Sequence, residues 1–176
     1  MKTEYLLNRE VDLVLAMLTS KNALIMRTAL HTGLRIGDVL ALKSCQLAPR
    51  FWVTESKTQK RRQIGLPEPL LTDLKNNAGP TWVFENLKTA KPQTRQAVWK
   101  DIKRAAHAMR LPQNAGPHSA RKIYAVDLMT KYGDIERVRR ALNHSSLAVT
   151  MIYALADQQL ESKNKRRRAA AGRRRV

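Results

Sequence analysis

The chain holds 176 residues, 43% of them hydrophobic, enough for one domain with a sizeable core and too few for two ordinary ones. Its single cysteine, Cys45, excludes an intramolecular disulfide and a cysteine-built metal cluster, and fits a reducing compartment. Lys and Arg number 33 against 14 Asp and Glu, and the net charge of +19 calls for a polyanionic partner, nucleic acid rather than a membrane surface, because the most basic segment, "KNKRRRAAAGRRRV", has no bulky apolar face.

Asn8 is placed to cap a first helix in which Val11, Leu13, Val14, Leu15, Met17 and Leu18 recur at helical spacing as far as Ser20. A second helix covers 22–32, with Leu24, Ile25, Thr28 and Ala29 on one face and Gly33 as its C-terminal cap. "LRIGDVLALK" restarts a short helix, which puts Arg35 at a helix junction. Residues 51–66 read as a hairpin whose tip presents Lys57 to Arg62. A helix opened by Pro67 and Pro69 runs to about Asn77, and "TWVF" at 81–84 is a candidate strand. In a helix over 92–109, Val98, Ile102, Ala105, Ala106 and Met109 face inward, and Arg95, Lys100, Lys103 and Arg104 outward. After "LPQNAGP" come helices at about 118–131, 134–142 and 147–155, then a basic helix or tail from 157. The expected fold is mainly α with a small antiparallel β-sheet, an α+β domain over 1–156 with a basic segment over 157–176. No apolar run approaches the roughly 18 residues that span a bilayer, and "MKTEYLLNRE" lacks the apolar centre of a secretion signal, so a cytoplasmic, membrane-free protein is expected.

There is no GK[ST] phosphate loop, no HExxH, no paired-cysteine zinc pattern and no GxSxG, so no metal and no cofactor are expected. The chain does carry a scattered set of groups suited to phosphate: Arg35 in "TGLRIGDVL", Lys57 in "ESKTQKRR", His118 and Arg121 in "GPHSARKIY", then His144 and Tyr153 in "LNHSSLAVTMIYAL". Two arginines can each give bidentate hydrogen bonds to phosphate oxygens and stabilise the extra charge of a pentavalent transition state. A tyrosine can attack phosphorus once a base, such as histidine, accepts its proton, and a lysine can protonate the leaving oxygen. Taken singly these residues are ordinary: Tyr153 a helix aromatic, His144 a loop residue ahead of a helix capped by Ser145 or Ser146, the arginines solvated or paired charges.

Together, and in this order, the segments resemble the catalytic domain of the tyrosine recombinase, or phage integrase, family. "TGLRIGDVLALK" is similar to its first arginine box, with Asp38 three residues after Arg35. "PHSAR" matches the His-x-x-Arg box, and "LNHSSLAVTMIY" the final box, where a histidine or tryptophan precedes the nucleophilic tyrosine by nine residues. Lys57, 22 residues after Arg35, fits the lysine of the basic hairpin between the boxes. The family often has glycine where Asn143 stands, a residue that tolerates left-handed backbone, and often a histidine where Lys122 stands. The resemblance implies the DNA breaking-rejoining enzyme fold and a site-specific DNA recombinase, integrase- or invertase-like, acting without metal or ATP through a 3′-phosphotyrosyl intermediate. Tyr153 would be the nucleophile, Arg35, Arg121 and His144 the phosphate ligands, His118 the general base and Lys57 the general acid, with Asp38 orienting Arg35 or Arg121. Double-stranded DNA is the expected partner, contacted by Lys60, Arg61, Arg62, Arg95, Lys122 and by Arg166, Arg167, Arg168, Arg173, Arg174 and Arg175 of the tail, with a homotetramer on two DNA sites and a monomer in free solution. Only 34 residues precede Arg35, so the separate DNA-binding domain that most members carry before it is not expected here. Two other readings use the same residues: a type IB topoisomerase or telomere resolvase, and a non-catalytic DNA-binding regulator of the same fold.

Overall fold

The computed structural model describes residues 6, 8–111 and 114–143. The chain divides into two compact units, Met1–Tyr124 and Ala125–Val176, with the boundary inside a helix. The first unit contains helices α1 (Asn8–Met17), α2 (Ser20–Thr32) and α3 (Ile36–Leu40), a 3-10 turn at Ser44–Gln46, strands β1 (Arg50–Thr54) and β2 (Arg61–Gly65), helix α4 (Glu68–Asn77), the short strands β3 (Glu85–Asn86) and β4 (Lys91–Pro92), and helix α5 (Arg95–Ala108). Helix α6 (Pro117–Tyr132) begins in the first unit and continues into the second, which also holds α7 (Ile135–Ala141).

Helix α2 is the centre of the first unit. Asn22 to Met26, Thr28, Ala29 and Thr32 are all buried, so it is enclosed on more than one side rather than laid on a surface by a single stripe. Val39, Leu71, Leu74, Val83, Phe84, Val98, Ile102 and Ala105 belong to the same core, and fully burying a side chain such as Ile25 or Phe84 contributes about 1.5–3 kcal/mol. Helix α1 uses a narrower face than its apolar pattern suggests: Val11 and Val14 are buried, while Leu13 and Met17 stay at the surface. On α5 the expected inward residues Val98, Ile102, Ala105 and Ala106 are buried, whereas Met109 falls just beyond the helix and is half-buried. Asp101 of α5 closes the α1–α2 junction, accepting from the Thr19 amide at 3.0 Å and the Asn22 side-chain amide at 2.7 Å.

The hairpin is antiparallel, with Phe51 opposite Ile64, Val53 opposite Arg62 and Thr54 opposite Arg61. Phe51, Val53 and Ile64 are buried, so alternation along the strands puts Arg62 on the core-facing side and Arg61 on the solvent side. The tip is therefore residues 55–60, two positions earlier than the expected 57–62, because Arg61 and Arg62 are already in β2. "TWVF" does not form a strand. Trp82 makes one bridge to Lys43, and the chain instead turns into the two-residue ladder β3–β4. The buried Glu85 draws that turn together, its carboxylate accepting from the amides of Thr81 and Trp82 at 2.9 and 3.0 Å.

In the second unit, Asp134 caps α7 by accepting from the amides of Glu136 and Arg137 at 2.9 and 3.1 Å, and Val138 and Leu142 are buried. Asn143 follows with φ of 50°, the left-handed conformation for which asparagine is suited. The 147–155 helix and the basic tail from 157 lie outside the described residues.

Candidate active site

The C-terminal end of α2 is the frame of the site. A helix leaves its last carbonyls without helical partners and ends in partial negative charge. Two arginines from distant parts of the sequence take up these carbonyls: Arg62 of β2 donates to Thr32 O at 2.8 Å, and Arg121 of α6 donates to Gly33 O at 2.5 Å. Gly33 caps the helix with φ of 64° and returns its own amide to Ala29 O at 2.9 Å. The ring of Tyr124 lies where a Cβ on residue 33 would be, so a glycine is needed both for the turn and for the close approach.

Two residues on, Arg35 flanks the start of α3 in an extended conformation. Its guanidinium bonds the carboxylate of Glu55, which is completely buried, while Arg35 keeps 19% of its side chain accessible. Glu55 Oε1 also lies 3.6 Å from Arg62 Nε. Burial lowers the pKa of Arg62 below its usual value against the opposing pull of Glu55, though a guanidinium stays protonated in any working range. Breaking such a buried pair from one side costs about 3–5 kcal/mol, because the remaining charge is stranded.

The hairpin turn is tied down from two sides. Glu55 N–H donates to Lys60 O at 3.0 Å, and Gln59 N–H to Glu55 O at 2.8 Å, with Gln59 at φ of 55°. Asp38 of α3, itself buried, accepts from both the amide and the hydroxyl of Ser56, at 2.9 and 2.7 Å. Lys57, next in the chain, is exposed on the turn that these bonds hold.

His118 stands in the first turn of α6, one helical turn before the buried Arg121. Partial burial lowers its pKa below 6.5, and the nearby charges of Arg121, Arg35, Lys122 and Lys57 lower it further. The imidazole is therefore biased toward its neutral, proton-accepting form near pH 7. The charges acting on His118 place Arg35, Lys57, His118 and Arg121 in one electrostatic environment, although up to 86 residues separate them in sequence. His144 and Tyr153 lie outside the described residues, as do Arg166, Arg167, Arg168, Arg173, Arg174 and Arg175.

Two expectations change. The carboxylate that holds Arg35 is Glu55 and not Asp38, whose described bonds go to Ser56. Arg62, expected among the DNA contacts, turns inward with only 10% of its side chain accessible, because its register places it on the core-facing side of β2. Lys60, Arg61 and Arg95 are exposed and Lys122 is half-buried. A signal for Glu55 was present: Phe51, Val53 and Glu55 share one phase of the strand, and it is the sole acid between Asp38 and Glu68.

The sequence profile of the phage integrase family matches residues 4–159. The chain is 34% identical over 138 residues to the protein named "Probable integrase/recombinase YoeC" of Bacillus subtilis, covering 73% of this chain and 74% of that protein. It is 27% identical to the tyrosine recombinase XerD of Staphylococcus saprophyticus, covering 82% of this chain and 56% of the relative, so against that longer protein it spans little more than half the length. Among solved structures, the catalytic domain of bacteriophage HP1 integrase superposes with a TM-score of 0.68 at 23% identity, covering 93% of this chain and 95% of that one. A lambda integrase dimer bound to a COC′ core site gives 0.74 at 20% identity, covering 88% and 48%. The fold is thus that of a tyrosine recombinase catalytic domain, and the chain belongs to the phage integrase family, whose named members are DNA integrases and tyrosine recombinases.

Proposed function

We propose that this chain is a site-specific DNA recombinase that cleaves and rejoins double-stranded DNA through a 3′-phosphotyrosyl intermediate. The observation that supports the reading is the convergence of Arg121 and Arg35 on the end of α2, Arg121 on Gly33 O and Arg35 two residues beyond it, with the charges of Arg121, Arg35 and Lys57 acting on His118. Arg35 and Arg121 bind the non-bridging oxygens of the scissile phosphate, with His144 as a third ligand, and stabilise the added charge of the transition state. Tyr153 Oη attacks phosphorus as neutral His118 accepts its proton. The bond from phosphorus to the 5′ oxygen breaks, Lys57 protonates that oxygen, and the DNA is left with a 5′ hydroxyl and a 3′ phosphate ester on tyrosine. Because the ester conserves the energy of the broken bond, a second 5′ hydroxyl reseals the strand without ATP. Lys60, Arg61, Arg95, Lys122 and the arginines of the tail supply sequence-independent phosphate contacts.

A complete exchange takes four protomers on two DNA sites, each contributing one tyrosine, in the bacterial cytoplasm where such DNA resides. The test is covalent trapping on a nicked suicide duplex taken from the DNA flanking the coding region, in EDTA. Wild-type protein becomes attached and Tyr153→Phe does not. Equal attachment by both, or by neither, overturns the reading, and a Phe variant that still binds DNA and functions as wild type marks a binding-only regulator. Relaxation of supercoiled plasmid by monomer at no specific site would mark a topoisomerase instead.

A further inference from the structure

Among the described residues, Glu55 is the one completely buried ionisable group in the first unit's site, and the recombination chemistry gives it no proton to move and no phosphate to bind. We propose that Glu55 is a positioning residue for strand cleavage, aiming the Arg35 guanidinium at the phosphate and fixing the turn that carries Lys57; the inference rests on the recombinase reading.

Three observations meet at this residue. Its Oε2 accepts from Arg35 Nη1, leaving Arg35 anchored along one edge while part of the side chain remains open to a ligand. Its Oε1 faces Arg62 Nε at 3.6 Å, and Arg62 is pinned in turn to Thr32 O at 2.8 Å, so the carboxylate is braced against the end of α2 and cannot follow Arg35 if that side chain swings. Its backbone closes the hairpin turn through the bonds to Lys60 and Gln59, two residues from Lys57. The phosphate ligand and the general acid are thereby referred to a single rigid point. An arginine held by a buried carboxylate also meets a phosphate with its orientation already fixed, which removes an ordering cost from the transition state. A purely stabilising ion pair would need the burial and the charges, but not the placement of one residue between the guanidinium and the turn.

The experiment compares wild type, Glu55→Gln, Glu55→Asp and Arg62→Gln in single-turnover trapping on the same flanking-DNA suicide duplex, well below each variant's melting temperature. Duplex affinity is measured alongside by gel shift. Glu55→Gln is expected to cleave about a hundredfold more slowly while binding the duplex within about threefold of wild type, a loss confined to the chemical step. Arg62→Gln lowers the melting temperature and loosens the brace but keeps the bond from Glu55 to Arg35, so its cleavage slows by about tenfold, less than that of Glu55→Gln. Should Glu55→Gln fail to fold, Glu55→Asp serves: it keeps the charge, withdraws it by one methylene, and slows cleavage by about tenfold with binding intact. Cleavage by the Glu55 variants within about threefold of wild type, or slowing that merely tracks melting temperature across the variants, overturns the positioning role. Absence of adduct with wild type overturns the recombinase reading itself, and the inference falls with it.

Discussion

Replacing Gly33 by alanine tests the frame on which the site is built. The residue sits at φ of 64°, where a Cβ costs about 1–2 kcal/mol. The new Cβ would also overlap the Tyr124 ring, coming within 2.9 Å of its Cγ and closer still to Cδ1 and Cε1, and overpacking of that kind costs about 1–3 kcal/mol. The sum, about 2–5 kcal/mol, lowers the melting temperature by about 4–20 °C for a chain of this size. The clash term can be isolated with a double-mutant cycle, because Tyr124→Ala removes the ring but leaves the backbone strain. Thermal melts followed by circular dichroism should give a coupling of about 1–3 kcal/mol between the two changes, with Gly33→Ala costing less in the Tyr124→Ala background. Strand cleavage should fall with the single variant as well, since Gly33 O is the acceptor for Arg121 and Tyr124 shares α6 with His118 and Arg121. Strictly additive effects would refute the close approach of Tyr124 to Gly33. A Gly33→Ala protein as stable as wild type would refute the strained cap as well.

The cleavage rate should rise with pH along an acid limb centred below 6.5, because burial and then Arg121, Arg35, Lys122 and Lys57 lower the His118 pKa; Lys122→Gln should move that limb upward, and imidazole NMR checks both. As the folded pKa is the lower one, the unfolded chain binds the proton first, so the stability tied to neutral His118 is complete above about 6.5 and is lost as the pH falls toward the folded value. Asp38→Ala removes the acceptor of the Ser56 amide and hydroxyl, and hydrogen exchange at Ser56 should quicken by about tenfold or more, with unchanged protection counting against this tie. Ending the chain at Asn164 deletes Lys165 and six arginines, so the slope of log affinity against log salt should flatten by about 0.9 for each phosphate that the shortened protein no longer neutralises, while the same slope would show that the tail does not touch DNA.

Much of the local structure is written in the sequence. Helical periodicity places α2 and α5, Pro67 and Pro69 mark the start of α4, Gly33 announces the end of α2, and the resemblance to the family's boxes points to Arg35, Lys57, His118 and Arg121 among 37 Lys, Arg and His. These signals are local or ordinal, which is why a linear reading retrieves them. What periodicity could not supply is the pairing of charges across distant segments. Arg61 and Arg62 look alike in "QKRRQ", and only the register of β1 against β2 sends one to solvent and the other to Thr32 and Glu55. Asp38 lies inside the arginine box and Glu55 20 residues beyond Arg35, yet tertiary contact decides that Glu55 takes Arg35 while Asp38 takes Ser56. The physical reason is burial: a charge inside the protein needs a specific partner within hydrogen-bond reach, and that partner is chosen by how elements pack rather than by their order in the chain.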